Sequence, residues 1–231
     1  MFRFKQFTIH QSLCAMKVGT DGVLLGAWTA LGDEPRRVLD LGTGTGVIAL
    51  MMAQRTAEAQ IVGVDIDAVD QARQNGEESP WKDRLTFVQC AVQEFETDPK
   101  FDLIVSNPPF FVDSLQCPDQ ERTQARHTVT LSFEELIAAA DRLLSDRGRL
   151  AVVLPIVEGE QFLRSAMRHF HLTRRTEVKT TPKRAPKRVL MEFARQAVGE
   201  VENDFLIIGT GEHETYTEEY KRLTRDFYLK F

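Results

Sequence analysis

A glycine-rich segment and a carboxylate further along the chain form the first group of residues that can do chemistry. The run 37–46 places Gly42, Gly44 and Gly46 between an apolar strand-like run and the start of a helix-like run. Glycine permits the tight backbone of such a turn and lets a ligand approach the main chain closely. A second strand-like run ends at Asp65, 19 residues after Gly46, where a carboxylate can accept both hydroxyl groups of a ribose. Together the two features predict a site for a nucleoside-containing cofactor.

The spacing of the glycines and the acid before them indicate which cofactor. Dinucleotide enzymes use Gly-x-Gly-x-x-Gly, whereas this chain has Asp40-x-Gly-x-Gly-x-Gly. In this pattern the sequence resembles the class I S-adenosylmethionine methyltransferases. Asp40 fits that cofactor because the ammonium and sulfonium groups are cationic, whereas a diphosphate would be repelled. The alternatives are a purely structural turn with a solvated Asp65, and NAD binding.

A second group of residues follows the fourth strand-like run. Residues 101–106 lead directly into Asn107-Pro108-Pro109-Phe110. In a doubly wound sheet the carboxyl ends of strands one and four flank the ligand crevice, so we expect this tetrapeptide to face the transferable methyl group. The two prolines reduce the entropy lost in holding it rigid. The segment resembles the Asn/Asp-Pro-Pro-Tyr/Phe motif of methyltransferases that act on planar amino or amide nitrogens.

This resemblance implies catalytic roles for Asn107, Pro108 and Phe110, with Asn107 also lining the cofactor site. The side-chain oxygen of Asn107 and the carbonyl of Pro108 can accept the N–H groups of an exocyclic amine such as adenine N6 and direct its nitrogen at the methyl group. Phe110 can stack on the base, an interaction worth about 1–3 kcal/mol. Positioning and electrostatics would provide most of the catalysis, and no metal is expected. The alternative is a plain loop with Phe110 in the core.

Other parts of the chain narrow the acceptor, since the motif is shared by enzymes for adenine N6, guanine N2 and protein glutamine N5. The glutamine enzymes carry a helical domain ahead of the core, and only 36 residues precede Arg37. The large guanine enzymes duplicate the domain, and this chain holds one copy. Several segments resemble the bacterial tRNA1(Val) (adenine-37-N6)-methyltransferase family: residues 4–7, 15–28, 79–81, 122–126, 188–190 and 220–231.

Membership of that family implies further residues around the cofactor. Lys17, Thr20 and Asp21 would lie near its methionyl end, although Thr20 and Asp21 can instead simply begin the helix that continues from Val23. Many relatives have an Asp after the third strand to accept the amino group of the cofactor adenine, and Ala91 stands there in this chain. That hydrogen bond is therefore missing or supplied by another group.

Two basic groups are candidates for RNA binding. The first lies in the long polar connector at 111–131, which fits a lid on the acceptor side; it can contact phosphates around an extruded base, or brace the loop. The second surrounds a predicted hairpin loop, where cations would give salt-dependent affinity with little sequence information, or form a solvated edge that discourages strand pairing. The first group is Arg122, Arg126 and His127, and the second is Lys179, Lys183, Arg184, Lys187 and Arg188.

The elements that must position these residues alternate between strand and helix. Helix-like runs at 46–55, 67–75 and 132–144 separate strand-like runs at 37–41, 61–65, 85–88, 101–106 and 149–154. Asp67 would be the N-cap of the second helix, with Gly76 past its end, and Ser132 with Glu135 forms a capping box for the third. Such alternation predicts an α/β, Rossmann-like fold with a mostly parallel seven-stranded sheet and helices on both faces.

The pattern changes after Pro155. It predicts a helix at 158–167, an antiparallel C-terminal hairpin at 172–179 and 189–194, a short strand at 205–208 and a closing helix at 217–227. We expect a single methyltransferase domain over 1–231. Within it, residues 1–36 line the cofactor and substrate, 37–155 form the cofactor-binding core, and 156–231 form the hairpin and closing helix.

Composition limits the class of protein. The chain has 231 residues, 42% of them hydrophobic, and a net charge of −5, which favours one globular domain. Three widely spaced cysteines fit neither a disulfide framework nor a metal site. With no membrane-spanning or signal-like run, we expect a cytoplasmic protein. Residues 164–195 hold ten Lys or Arg and two Glu, a local charge of +8, so the remainder sums to −13.

Together these observations predict a monomeric, S-adenosylmethionine-dependent enzyme that methylates N6 of adenine 37 in the anticodon stem-loop of tRNA1(Val). One alternative is an enzyme of the same fold that methylates guanine N2 of ribosomal RNA or protein glutamine N5. Another is a non-catalytic RNA-binding module that retains the cofactor pocket.

Overall fold

A computed structural model describes residues 1–14, 16–67, 69–109, 131–213 and 215–231. Two short strands near the N-terminus pair with each other, and eight further strands form one sheet. The strands are β1 (Phe2–Arg3), β2 (Thr8–Ile9), β3 (Arg37–Leu41), β4 (Gln60–Asp65), β5 (Leu85–Gln89), β6 (Phe101–Ser106), β7 (Leu144–Pro155), β8 (His171–Lys179), β9 (Arg188–Ala194) and β10 (Glu202–Ile207). The helices are α1 (Thr20–Trp28), α2 (Val47–Arg55), α3 (Asp70–Glu77), α4 (Phe133–Leu143), α5 (Ile156–Ala166) and α6 (Glu218–Thr224).

The strand order of the large sheet is β10-β8-β9-β7-β6-β3-β4-β5. Only β9 runs against its neighbours, β7 and β8, and the other strand pairs of this sheet are parallel. The carboxyl ends of β3 to β8 and of β10 therefore lie at one edge of the sheet, called the carboxyl edge below. The loop from β8 to β9 opens at the same edge.

Both faces of the sheet are covered. Val38 and Leu103 contribute to a core shared with α1, α2 and α6, whereas Leu39 and Ile104, their neighbours in the chain, contribute to a core shared with α4 and α5. Alternate residues of β3 and β6 are thus buried on opposite faces, which explains why these strands are apolar at most positions and do not alternate between apolar and polar residues. Among the described residues, no helix is long and apolar enough to cross a membrane.

The sequence-based prediction of a mostly parallel α/β fold with helices on both faces is confirmed, as is the capping box at Ser132 and Glu135. Among the described residues the large sheet has eight strands and not seven, because the short strand predicted at 205–208 corresponds to β10, which joins the sheet parallel to β8. The predicted start of α3 was also wrong. Its N-cap is Val69, and Gly76 lies inside the helix. The backbone N–H of Asp67 donates to the carboxylate of Asp65, so Asp67 belongs to the segment that follows β4 and not to the helix.

Candidate functional site

The glycine-rich loop joins β3 to α2 at the carboxyl edge. Gly42, Gly44 and Gly46 have φ angles of 73°, 51° and 80°, a region that residues with side chains rarely adopt. A Cβ added at Gly42 or Gly44 would meet nothing within 4 Å, whereas one at Gly46 would lie 3.2 Å from the ring of Phe87. Gly46 is therefore needed for packing, while Gly42 and Gly44 leave their backbone open to a ligand.

Asp40 lies beneath this loop with its side chain fully buried. One carboxylate oxygen, Oδ2, accepts hydrogen bonds from the hydroxyl of Thr43 at 2.7 Å and from the backbone N–H of Ala49 at 3.1 Å. The other oxygen, Oδ1, is buried without a partner among the described residues. Burial raises the pKa of Asp40 to about 7, although the two hydrogen bonds oppose that shift. Asp40 thus braces the loop, and a cation near the loop would favour its ionised form.

Asp65 ends β4 beside the loop. Its Oδ2 accepts the N–H of Gly44 at 2.8 Å, and its Oδ1 accepts the N–H of Asp67 at 3.1 Å. Burial raises the pKa of this carboxyl group, against the effect of those hydrogen bonds. Since each carboxylate oxygen can accept more than one hydrogen bond, Asp65 can still accept ribose hydroxyls next to the open glycine.

Asn107 lies next to the start of the loop because β6 and β3 are neighbours. Leu41 and Ser106 are partners in the parallel register, and the hydroxyl of Ser106 donates to the carbonyl of Leu41 at 2.8 Å. Asn107 follows Ser106 directly and is half-buried, and Pro108 after it is buried. The structure therefore brings the first two residues of the proposed acceptor motif to the glycine-rich loop. Phe110, Arg122, Arg126 and His127 lie outside the described residues.

A buried amide that sequence reasoning missed connects the N-terminal segment to the loop. Asn75 of α3 donates to the carbonyls of His10 and Thr45, both at 2.9 Å, and accepts the N–H of His10 at 2.8 Å. One turn earlier, Gln71 accepts the N–H of Leu13 at 3.2 Å. Thr45 belongs to the glycine-rich loop, so Asn75 holds the loop and the N-terminal segment together. The available sequence signal is two amides at i and i+4, which share one helix face.

Lys17 lies in that N-terminal segment. Its ammonium donates to the carbonyls of Gln11 at 2.5 Å and Cys14 at 2.9 Å, which closes a turn ahead of α1. Thr20 is the exposed first residue of α1, whose N-cap is Gly19. The predicted helix start at this point is confirmed, and the cofactor contacts of Lys17 and Thr20 remain predictions.

Asp21 and Arg188, which were predicted to serve different ligands, form one ion pair. The Nε of Arg188 lies 2.7 Å from the Oδ2 of Asp21, and both side chains are half-buried. Arg188 begins β9 opposite Pro155 at the end of β7, so the pair fastens the first turn of α1 to the carboxyl edge. The ion pair joins the two predicted sites, and the cofactor role of Asp21 and the RNA role of Arg188 remain predictions. Arg188 is not a freely exposed cation like its neighbours in the loop.

Ala91 follows β5 on the other side of the loop and is half-buried. The backbone N–H of Cys90 donates to the carbonyl of Asp65 at 2.9 Å, which holds Ala91 close to Asp65. Its methyl side chain offers no hydrogen-bonding group, so any polar interaction with a cofactor base at this position must come from its backbone or from another residue.

The remaining predicted RNA-binding residues lie at the carboxyl edge. Lys179 ends β8, and Lys183, Arg184 and Lys187 are exposed in the loop that follows. The turn is ordered by backbone hydrogen bonds from Arg184 to Thr181 at 3.1 Å and from Lys187 to Val178 at 2.9 Å. These four cations, called the basic loop below, thus lie on the same edge as Asn107. The described residues contain no cluster of three His, Cys, Asp or Glu side chains that could hold a metal ion.

Comparison with known proteins gives consistent matches. Residues 19–179 match the model of the Methyltransferase small domain family. A tRNA1(Val) (adenine(37)-N6)-methyltransferase of Phocaeicola vulgatus is 48% identical over 99% of this chain and 97% of its own length. A protein of the same name from Vibrio campbellii is 42% identical over 99% of this chain and 95% of its own length.

Solved structures share the fold at low sequence identity. A predicted O-methyltransferase from Agrobacterium tumefaciens has a TM-score of 0.70 at 18% identity, covering 90% of this chain and 96% of that one. The glycopeptide N-methyltransferase MtfA in complex with S-adenosylmethionine has a TM-score of 0.58 at 15% identity, covering 78% of this chain and 90% of that one. These likenesses support the Rossmann-like architecture.

Proposed function

Because the chain belongs to the tRNA1(Val) (adenine(37)-N6)-methyltransferase family, we propose that it transfers a methyl group from S-adenosylmethionine to N6 of adenine 37 in tRNA1(Val). The observation that carries this proposal is the junction of β3 and β6. There the half-buried Asn107 follows Ser106, whose hydroxyl is bonded to the carbonyl of Leu41 just before the open glycine-rich loop. The donor and acceptor of the methyl group would meet at these two strand ends.

The loop fits the cofactor in three respects. The open space at Gly42 and Gly44 admits a ligand against the backbone. Asp65 is positioned by its bonds to the backbone to accept ribose hydroxyls. The buried Asp40, with one oxygen unpartnered among the described residues, favours cationic groups nearby. When bound, S-adenosylmethionine supplies an electrophilic methyl group on a cationic sulfonium.

We further propose that Lys17 and Thr20 line the methionyl end, that Asp21 acts there through its ion pair with Arg188, and that Ala91 lies beside the adenine. The half-buried methyl group of Ala91 then makes only van der Waals contact with the adenine.

Asn107 and Pro108 would act on the acceptor amine. Their oxygens, one from a side chain and one from the backbone, accept the two N–H groups of adenine N6 and direct its lone pair at the methyl group. The same two oxygens stabilise the positive charge that develops on nitrogen as the bond forms, and the surplus proton passes to water. Pro108 and Pro109 limit the motion of these acceptors. Phe110, outside the described residues, is proposed to stack on the base.

The RNA is proposed to bind across the carboxyl edge as an anticodon stem-loop, to a monomer, in the cytoplasm where tRNA is found. Extruding a loop base costs only a few kcal/mol when it is unpaired. The basic loop would hold neighbouring phosphates, and we propose the same for Arg122, Arg126 and His127. Such interactions supply affinity and orientation without reading bases.

The experiment is methyl transfer from labelled S-adenosylmethionine to unmodified tRNA1(Val), followed by nuclease digestion and mass spectrometry. We expect N6-methyladenine at position 37 and no label in a tRNA with guanine 37, in ribosomal RNA or in protein. Asn107→Ala should lower turnover at least about 100-fold while S-adenosylhomocysteine binds as before. Asn107→Asp, which keeps an accepting oxygen, should retain measurable transfer. Label confined to protein or to guanine, or full turnover by Asn107→Ala, would overturn the proposal.

A further inference from the structure

An aromatic side chain is exposed at the outer end of the carboxyl edge. Phe205 of β10 is 63% exposed, although Leu206 beside it is buried in the core shared with α1, α2 and α6. The ammonium of Lys179, from the basic loop, lies over the Phe205 ring, 5.0 Å from its centroid. A single exposed Phe is common on protein surfaces. An exposed ring with a lysine ammonium over it and a cationic loop beside it is a more specific indication of a binding surface.

The charges on this side of the sheet favour an anionic, aromatic partner. Glu177, which lies opposite Phe205 in the register, shares the guanidinium of Arg175 with Glu160, at 2.9 and 2.6 Å. One negative charge therefore remains there, and the four cations of the basic loop outnumber it. Asp204 points to the opposite face, where it accepts a hydrogen bond from the hydroxyl of Thr176, so its charge does not oppose the basic loop. Cations beside an open aromatic ring are the arrangement by which proteins bind single-stranded nucleic acid.

The distance from Phe205 to Asn107 is short enough for one RNA molecule to contact both residues. Four strand spacings separate β6, which leads to Asn107, from β10, or about 19 Å at about 4.8 Å per strand. Stacked nucleotides advance about 3.4 Å each, so about five to six of them span that distance. An RNA whose target base lies at Asn107 can therefore reach Phe205 within the same loop and its adjoining stem.

We propose that Phe205 and Lys179 form a stacking platform for an unpaired base of the RNA substrate, flanked by phosphates that the basic loop holds. This inference rests on the proposed function and names a substrate-binding residue for it. Lys179 covers one face of the ring, so the base stacks on the other. Because every base has a flat face, the platform selects unpaired over paired RNA rather than one base over another.

The test compares Phe205→Ala and Phe205→Tyr with the wild type and with Leu229→Ala, a control at another exposed apolar residue, 62% exposed. Phe205→Ala should raise both the KM for tRNA and the Kd for an isolated anticodon stem-loop by about 5- to 150-fold. The kcat, the affinity for S-adenosylhomocysteine and the salt dependence of RNA binding should not change, because no charge is removed. Phe205→Tyr and Leu229→Ala should stay within about twofold of the wild type.

Three results would overturn the platform. These are an unchanged Kd for Phe205→Ala, an equal weakening in Phe205→Tyr, or equal weakening for a fully paired duplex. Stem-loop binding is followed by fluorescence anisotropy and needs no turnover. Failure of the platform is therefore distinguishable from failure of the proposed methylation. If the methylation proposal is wrong, neither the wild type nor any variant methylates tRNA1(Val), yet the differences in stem-loop Kd between the variants can still be measured.

Discussion

Changing Asn75 to Asp tests whether the N-terminal segment and the glycine-rich loop act as one unit in binding the cofactor. The amide of Asn75 is fully buried and makes its three hydrogen bonds, of 2.8 to 2.9 Å, to His10 and Thr45. Aspartate has the same size and keeps the accepting oxygen. It replaces the NH2 group, however, by an oxygen that faces two carbonyl oxygens.

The expected cost follows from the removal of those two donors. A buried carbonyl left without a donor costs about 1–3 kcal/mol, so two of them cost about 2–6 kcal/mol. Protonation of the new carboxyl would restore one donor and bring the cost to the lower half of that range. A domain of this size is stable by about 5–15 kcal/mol, so we expect the variant to fold. We expect a local cost of about 2–3 kcal/mol in the joined loop and segment to weaken cofactor binding about 30- to 150-fold.

The assay is calorimetric titration with S-adenosylhomocysteine, together with thermal unfolding and stem-loop binding. Asn203→Asp is the matched control, since Asn203 is exposed and donates to the carbonyl of Val201 at 3.0 Å. It should bind the cofactor product normally. If Asn75→Asp lowers the melting temperature but leaves this affinity within twofold of the wild type, Asn75 serves the fold alone and the reasoning is refuted.

Two further predictions concern charge. The folded-state pKa of Asp40, which burial raises to about 7, lies above its value of about 3.9 in an unfolded chain, so its contribution to stability is full below pH 4 and is lost as the pH rises through 7. Because a cationic cofactor favours the ionised form of Asp40, its binding should release a proton and strengthen from pH 6 to 8. Calorimetry in buffers of different ionisation enthalpy measures both effects. A flat pH profile, or a profile that Asp40→Asn leaves unchanged, would contradict this. Reversing the charges of Lys183, Arg184 and Lys187 should weaken tRNA binding and flatten its salt dependence by about one unit of slope for each phosphate that the loop no longer neutralises, with cofactor affinity unchanged. An unaltered slope in filter binding across a salt series would mean that these residues are only a solvated edge.

The parts of the site that were predictable from sequence share a local cause. Buried strands such as β3 leave apolar runs, and a turn that needs positive φ leaves glycines, so both features can be read from a few neighbouring residues. The capping box at Ser132 is equally local, since it joins residues three apart. Each of these features is predictable because it depends on neighbouring residues and not on contacts with distant ones.

The parts that sequence reasoning missed depend on long-range contacts. Asn75 acquires its role from His10 and Thr45, which are 65 and 30 residues away. Asp21 and Arg188 are separated by 167 residues, and no periodic pattern relates them. The pairing of β10 with β8 was missed for a similar reason. The exposed, polar start of β10 gives no hydrophobic alternation, and its place is set by hydrogen bonding to the edge of a sheet built elsewhere.

The strand order explains how one edge can serve a cationic cofactor and a polyanionic RNA in a chain with a net charge of −5. Asp65 ends β4, Asn107 follows β6 two strands away, and the basic loop follows β8 three strands beyond that. At about 4.8 Å per strand Asp65 and the basic loop are about 24 Å apart, or about three Debye lengths at physiological salt. The two sets of charges therefore do not neutralise each other through the solvent. We therefore expect each set to attract its own ligand, and Asn107 lies between them, where the methyl donor and the base would meet under the proposed function.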